Sequence, residues 1–196
     1  MPNRGLLRTL ARVCVALAAD VIMASAADLP RPSPAFEIGL HDGAPIKLSQ
    51  YKGKVCVLAF ILTTCPHCQK TVGYLSEMQK EYGPQGLQVV ASAIDDMGKM
   101  NVPDFIKRFQ PPFPVGFSTQ NDADGYLQHP VIYRLYVPQL VFIDRQGTIR
   151  AQYGGDDKFF ADDQDKHIRG RIEALLKKAP AAKKKPKPAP APKKAS

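Results

Sequence analysis

Two cysteines separated by two residues, Cys65 and Cys68, are the side chains of this sequence best suited to chemistry. At that spacing two sulfurs can form a disulfide or separate as a dithiol, so the pair can carry two electrons. The segment Thr64-Cys65-Pro66-His67-Cys68 follows an apolar run and precedes apolar residues at helical spacing. The pattern predicts a redox-active pair at the point where a buried strand ends and a helix begins.

This predicted position gives the two sulfurs different roles. Cys65 lies where unpaired backbone N–H groups and the helix dipole stabilise a thiolate, and protonated His67 adds positive charge beside it. Pro66 suits the first helical turn, because the N–H that it lacks would have no partner there. We therefore expect Cys65 to be the nucleophile, His67 to favour its thiolate, and Cys68 to resolve the mixed disulfide.

Zinc binding is the alternative chemistry for a C-x-x-C pair. The sequence lacks a second pair, and His41, His129 and His167 are not spaced as a ligand cluster, so we expect no metal site. We also expect no organic cofactor, because a disulfide itself carries the two electrons. Cys56 lies within an uninterrupted apolar run and is expected to be a buried, unreactive thiol.

The two ends of the chain differ in composition from the rest. Residues 1–26 carry three arginines before an apolar run and end in Ala24-Ser25-Ala26, which is typical of a secretory signal peptide. We therefore expect residues 27–178 to form an exported or periplasmic domain, in a compartment that permits disulfides. If the signal is not cleaved, it anchors the domain in the membrane.

Residues 179–196 consist of alanine, proline and lysine with one serine, a composition that cannot build a core. We expect a disordered tail, either a solvated extension or a segment whose lysines contact anionic surfaces. Of the total charge of +9, the six tail lysines and the net +2 of residues 1–26 leave about +1 on residues 27–178. The domain is thus nearly neutral, and we expect no specific nucleic-acid binding.

The segments between these ends predict an α/β fold with a mixed central sheet and helices on both faces. Fully apolar strands and amphipathic helices alternate, and Gly147 lies in the turn of a hairpin. Asp95-Asp96 is interpreted as the end of the second buried strand. The predicted strands cover 35–40, 45–48, 55–61, 87–94, 113–117, 140–144 and 148–153, and the predicted helices cover 66–82, 102–109 and 164–178.

Two segments carry motifs of a known family. They are Phe36 to Cys68, with its Asp42-Gly43 turn, Lys52-Gly53-Lys54 entry and CPHC motif, and Val137-Pro138 followed by Gln139 to Asp144 and Gly147. Over about residues 30–178 the chain thereby resembles the thioredoxin superfamily, and within it the exported thiol–disulfide reductases of the TlpA/ResA type and their redoxin relatives.

The resemblance implies a thioredoxin-like fold and thiol–disulfide exchange with protein substrates and a redox partner. It also implies a cis Val137–Pro138 bond that faces the sulfurs, with the backbone of Val137 pairing with an extended substrate segment. We expect Thr64 and Pro66, which flank Cys65, to belong to the same substrate-binding site.

Several residues depart from the family pattern. Thr64 replaces a tryptophan, and Ala59 and Thr71 stand at positions that carry a carboxylate in family members, so the base that deprotonates Cys68 is unassigned and water is the candidate. The dipeptide Pro66-His67 resembles that of the strongly oxidising DsbA-type enzymes. The scaffold therefore predicts a reductase, whereas the dipeptide predicts an oxidant.

Two other functions fit a related fold. A peroxiredoxin-like peroxidase places threonine three residues before its reactive cysteine, where this chain has Leu62. A copper-binding metallochaperone related to the SCO group would use Cys65, Cys68 and His129, but that group spaces its cysteines C-x-x-x-C. A thiol–disulfide oxidoreductase is therefore the preferred interpretation.

Overall fold

The computed structural model describes residues 28–177. The predicted signal peptide (1–26) and the predicted tail (179–196) lie outside the described residues, as do positions 27 and 178 of the predicted domain. No helix within residues 28–177 combines the length and apolar character required to cross a membrane.

The described part of the chain forms eight strands and four α-helices. The strands are β1 (Arg31–Pro32), β2 (Glu37–Ile38), β3 (Ile46–Lys47), β4 (Val55–Ile61), β5 (Leu87–Ala93), β6 (Val115–Phe117), β7 (Gln139–Ile143) and β8 (Thr148–Tyr153). The helices are α1 (Pro66–Tyr82), α2 (Gly98–Phe109), α3 (Gln120–Leu127) and α4 (Gln164–Lys177). Short 3-10 turns cover Leu48–Tyr51, Gly83–Gln85 and Lys158–Phe160.

Six strands form one mixed sheet in the order β1-β8-β7-β4-β5-β6, and β2 and β3 form a separate pair. The central strand, β4, runs parallel to β5 and antiparallel to β7. All seven residues of β4 are buried, which explains why its sequence is apolar without alternation. The carboxyl end of β4 therefore lies near the middle of the sheet, where neighbours on both sides can position the loop that follows.

Apolar side chains cover both faces of this sheet, as predicted. On one face, Val72 and Leu75 of α1 and Ile168 and Ile172 of α4 belong to one core cluster. On the other face, Tyr126 of α3 packs with Phe36 and Phe60, its ring centroid lying 4.9 Å and 5.9 Å from theirs. The predicted mixed α/β fold is confirmed.

The predicted start of the second helix is wrong. We expected this helix to begin near Val102 and Pro103, whereas α2 begins at Gly98 and contains Pro103. Proline at this position removes the N–H that would bond to the carbonyl of Lys99 four residues earlier. The Nδ1 atom of His41 lies 3.3 Å from that carbonyl oxygen and compensates for the missing donor.

Two elements were not predicted. Helix α3 begins with a capping box in which the Thr119 hydroxyl accepts from the Asp122 N–H, and the Asp122 carboxylate accepts from the Thr119 N–H. The Thr-x-x-Asp spacing in the sequence is therefore a signal for the start of a helix. Strand β1 has two residues and pairs with β8, and a strand this short has no periodic pattern to recognise.

Candidate active site

Cys65 is the N-cap residue of α1, and Pro66 is the first residue of that helix, as predicted. The Sγ atom of Cys65 accepts a hydrogen bond from the backbone N–H of Cys68, with an N···S distance of 3.4 Å. This N–H is one of the first-turn donors that have no partner inside the helix. Both sulfurs are free thiols in this structure. The helix thus directs a donor at the sulfur predicted to be the nucleophile.

The two sulfurs differ in exposure. Cys65 is partly exposed, whereas Cys68 is completely buried. Burial raises the pKa of the Cys68 thiol, and the nearby Cys65 and Asp95 contribute smaller increases that a hydrogen bond with the Leu62 backbone partly offsets. Cys68 therefore keeps its proton at neutral pH, and Cys65 is the sulfur that an incoming substrate can reach.

Hydrogen bonds at Leu62, Thr63 and Cys65 hold the loop between β4 and α1. The Cys65 N–H donates to the carbonyl of Leu62 at 3.1 Å, and the Gln69 side-chain amide donates to the carbonyl of Thr63 at 2.9 Å. The carboxylate of Asp95 accepts from the Thr63 backbone N–H at 3.0 Å and from its hydroxyl at 2.9 Å. These contacts hold the loop in one geometry beneath the reactive sulfur.

Asp95 is the site residue that the sequence interpretation missed. The sequence analysis interprets it only as the end of a strand, and it lies two residues after the last residue of β5. Because β4 and β5 are parallel neighbours, their carboxyl ends meet at one edge of the sheet, so Asp95 reaches the loop that begins after β4. The parallel pairing of two buried strands was the available signal.

The peptide bond between Val137 and Pro138 is cis, as the resemblance implied. Strands β4 and β7 pair Phe60 with Gln139, and continuing this antiparallel register places Pro138 beside Ile61, where the cysteine loop starts. Within residues 28–177 no hydrogen bond uses the backbone N–H or carbonyl of Val137. Neither group therefore has a hydrogen-bond partner in the part of the chain that the structure describes.

Gly155 packs directly against the Val137 peptide and was not predicted as a site residue. A Cβ atom at position 155 would collide with the carbonyl of Val137. The Gly155 N–H donates to the carbonyl of Tyr136 at 3.0 Å, and the side-chain amide of Gln139 donates to the same oxygen at 2.7 Å. The residues that follow β8 thereby support the loop that carries the cis proline.

The other predicted site residues surround Cys65. Thr64, Pro66 and His67 are exposed, so all three are accessible to a substrate. No hydrogen bond within the described residues involves the ring of His67. Its effect on the Cys65 thiolate therefore stays a prediction that rests on its charge and its position in the sequence.

Two positions that carry a carboxylate in some family members are occupied by buried neutral side chains. Ala59 lies inside β4, and Thr71 is buried in α1. The hydroxyl of Thr71 donates to the carbonyl of His67 at 2.9 Å and accepts from the side-chain amide of Gln164 at 2.7 Å. Asp95, in the loop after the neighbouring strand β5, is the carboxylate that contributes to the raised pKa of Cys68.

The three side chains of the copper alternative, Cys65, Cys68 and His129, do not form a ligand group in the described part of the structure. Residues 28–177 contain no group of three or more His, Cys, Asp or Glu side chains arranged to hold a metal ion. His129, the histidine of the copper alternative, has its Nε2 atom 3.2 Å from the carbonyl oxygen of Tyr133. Cys56 is buried as predicted, and burial raises the pKa of its thiol to about 12.

Comparison with known proteins adds independent observations. The sequence model of the AhpC/TSA family matches residues 30–152. The thiol-disulfide oxidoreductase ResA of Geobacillus thermodenitrificans is 28% identical over 119 residues, which cover 60% of this chain and 64% of the relative. ResA of Bacillus subtilis is 32% identical over 118 residues, which cover 60% and 62%. The chain thus spans just under two thirds of the length of these two relatives.

Solved structures show the same architecture. The crystal structure of a thiol:disulfide interchange protein, described as a thioredoxin family protein, from Chlorobium tepidum superposes with a TM-score of 0.63 at 21% identity. The match covers 76% of this chain and 98% of that chain. The predicted thioredoxin-like fold and the resemblance to the ResA type are confirmed.

Proposed function

Because the chain belongs to the AhpC/TSA family and has relatives named thiol-disulfide oxidoreductases, we propose that it is a thiol–disulfide oxidoreductase that acts on protein substrates. The observation that carries the proposal is the asymmetry of the cysteine pair. One sulfur is partly exposed at a helix N-terminus, and the other is buried one turn away. Exchange chemistry needs an accessible nucleophile and a protected resolving thiol.

The reaction proceeds in two displacements. The Cys65 thiolate attacks one sulfur of a substrate disulfide, forms a mixed disulfide and releases the other substrate sulfur as a thiolate, which takes up a proton. Cys68 then loses its proton and attacks the Sγ of Cys65, which releases the second substrate sulfur. The products are a substrate dithiol and a Cys65–Cys68 disulfide, so two electrons have passed from protein to substrate.

The same steps in reverse donate a disulfide to a substrate dithiol. Pro66-His67 favours this direction and the ResA-like scaffold favours the other, so the reduction potential of the pair decides between them. A value of about −270 mV indicates reductive work, and one of about −120 mV indicates disulfide donation. Neither direction requires a metal or an organic cofactor.

The substrate segment binds beside the sulfurs in extended form. The N–H and carbonyl of Val137, which have no hydrogen-bond partner among the described residues, can pair with it as a strand edge does. Thr64 and Pro66 are exposed and can contact the segment directly, whereas Pro138 is buried and acts by positioning Val137. Main-chain pairing accepts many sequences, so it suits an enzyme with protein substrates. A separate redox partner must restore the starting state of Cys65 and Cys68 after each cycle.

The proposed function includes a location outside the cytoplasm. The signal-like pattern of residues 1–26 supports export, and a disulfide-permitting compartment suits a working cysteine pair. In this arrangement residues 27–178 form the catalytic domain, and the lysine-rich residues 179–196 are a tail that can contact anionic surfaces.

Trapping of the mixed disulfide tests the function. Cys68→Ser is expected to accumulate a covalent adduct with a disulfide-containing protein, because Cys65 can attack but nothing resolves the product. Cys65→Ser is expected to be inactive and to trap little. Cys56→Ala is the matched control, since it removes a buried thiol outside the pair and should leave exchange intact. Mass spectrometry detects the covalent adduct. Full turnover by Cys68→Ser would show that the two-cysteine mechanism is wrong.

A further inference from the structure

Four large apolar side chains next to the cis proline are exposed to solvent. They are Val131 (77% exposed), Ile132 (82%), Tyr133 (63%) and Tyr136 (48%). Among the other large apolar residues within 28–177, only Met97 (56%) and Met100 (69%), at the start of α2, are exposed to this degree. We call the four side chains between 131 and 136 the apolar ledge. Clustered exposure of this kind marks an interaction site.

The apolar ledge is held in place by the fold. The Tyr133 N–H donates to the carbonyl of Pro130 at 3.0 Å, and the Tyr136 carbonyl accepts from Gly155 and Gln139. Leu135 points inward and packs against the core cluster on the second face of the sheet. The backbone that carries the exposed side chains is therefore fixed by contacts with the rest of the fold. Binding would require little further ordering of this backbone.

The position of the apolar ledge identifies its occupant. Tyr136 directly precedes Val137, whose free backbone groups are the proposed pairing site for an extended substrate. An extended chain advances about 3.3 Å per residue, so a segment paired with Val137 reaches the apolar ledge within a few residues. Arg134, the one charged residue between 131 and 136, stacks over the Tyr136 ring with its Cζ 5.4 Å from the centroid.

We propose that the apolar ledge binds apolar residues of the polypeptide segment that carries the reacting cysteine, and so selects unfolded or partly folded protein substrates. The inference rests on the proposed thiol–disulfide exchange and adds a substrate class to it. Apolar segments are buried in folded proteins and exposed in unfolded ones. A preference for apolar segments therefore directs exchange to chains whose disulfides are still accessible.

Three disulfide probes test the proposal: oxidised glutathione, a peptide with one disulfide flanked by apolar residues, and the same peptide with serine at the flanking positions. The wild-type protein is expected to prefer the apolar over the serine peptide by about tenfold in kcat/KM. The double variant Ile132→Ser/Tyr133→Ser should lose this preference through a higher KM. Ile132→Val/Tyr133→Phe should keep it, and Ile106→Ser, an exposed site on α2, is the matched control.

The outcomes separate this inference from the proposed function. Oxidised glutathione has no apolar side chain for the apolar ledge to bind, so all variants should exchange with it at wild-type rates. A wild-type protein that exchanges with none of the probes would overturn the proposed function. Exchange with glutathione but an unchanged preference in the double serine variant would overturn the apolar ledge alone. The wild-type protein could instead form a concentration-dependent dimer or bind lipid vesicles. If the double serine variant abolished either behaviour without a change in kinetics, the surface would be assigned to a second copy or to a membrane, and the proposed substrate site would be overturned.

Discussion

The carboxylate of Asp95 holds Thr63 by three contacts of 2.9 to 3.1 Å, two from the backbone N–H and one from the hydroxyl. Thr63 lies two residues before Cys65, and Asp95 lies two residues beyond the end of the neighbouring parallel strand β5. The same carboxylate contributes to the raised pKa of Cys68, after the larger effect of burial. One side chain therefore positions the reactive loop and also affects the charge state of the resolving thiol.

Asp95→Asn separates these two effects. The amide oxygen still accepts from Thr63, but the negative charge is gone, so the pKa of Cys68 should fall while remaining above its ordinary value because burial is unchanged. NMR of the Cys68 Cβ signal against pH measures the shift. Asp95→Ala also removes the acceptor and should lower the free energy of unfolding by about 2 kcal/mol.

Thr63→Val is the matched control for the Asp95 variants. It removes the hydroxyl contact and keeps the carboxylate charge, so it should reduce stability without moving the pKa of Cys68. If Asp95→Asn left the titration of Cys68 unaltered, the carboxylate would have a positioning role only.

His67→Ala is expected to make the cysteine pair more reducing. A cation near Cys65 favours the thiolate and hence the dithiol over the disulfide, so its removal destabilises the reduced form and lowers the potential. Each 30 mV corresponds to about 1.4 kcal/mol. Equilibration against glutathione measures the potential, and His67→Lys, which retains a positive charge, should change it less. Equal potentials in wild type and His67→Ala would leave the N–H groups of α1 as the only activator.

Cys56→Val should remove part of the alkaline loss of stability. Burial raises the pKa of Cys56 from 9.0 to about 12, so the folded protein holds this proton more tightly than the unfolded chain does. The stability that the thiol contributes is complete below pH 9.0 and is lost as the pH rises toward 12. Between about pH 8 and about pH 10.5 the loss amounts to about 2 kcal/mol.

Chemical denaturation of the Cys65–Cys68 disulfide form at both pH values checks this prediction, because Cys56 is then the one thiol of the described domain that titrates. The Cys56→Val protein should lose about 2 kcal/mol less than wild type over that range. Tyr126 is present in both proteins, and burial, the largest cause of its raised pKa of about 12, is the same in both, so only the smaller contribution of Cys56 to the Tyr126 pKa differs. Identical pH dependence in the two proteins would contradict the prediction.

Gly155→Ala should impair substrate binding more than redox chemistry. The added Cβ collides with the Val137 carbonyl and must displace the loop that carries the cis proline. We expect a loss of stability of about 1–3 kcal/mol and a higher KM for a protein substrate, with the reduction potential of the cysteine pair unchanged. Gly170→Ala on α4 is the control, because no atom lies near its added Cβ. A wild-type KM in Gly155→Ala would show that this contact does not position Val137.

Local sequence patterns were sufficient for the redox pair and for most of the fold. Cys65, Pro66 and Cys68 form a motif whose chemistry depends on spacing within one helical turn, so it can be read without knowing the rest of the chain. The helix from Pro66 to Tyr82 and the buried strand from Val55 to Ile61 were predicted at their observed bounds. Long periodic or uninterrupted apolar segments specify their own secondary structure.

Tertiary structure decided which distant residues meet the cysteine pair. Asp95 reaches Thr63 because β5 lies beside β4, and Gly155 reaches Val137 because β8 lies beside β7. A helix separates β4 from β5 in the chain, so no local pattern predicts the first contact. The β7–β8 hairpin was predicted from its turn, but the contact of Gly155 with Val137 beyond its ends was not. Burial of Cys68, the free backbone of Val137 and the exposure of Ile132 likewise depend on what surrounds each residue after folding. Spacing within one turn thus determined the reaction, whereas the contacts between strands determined how its two thiols differ and what lies beside them.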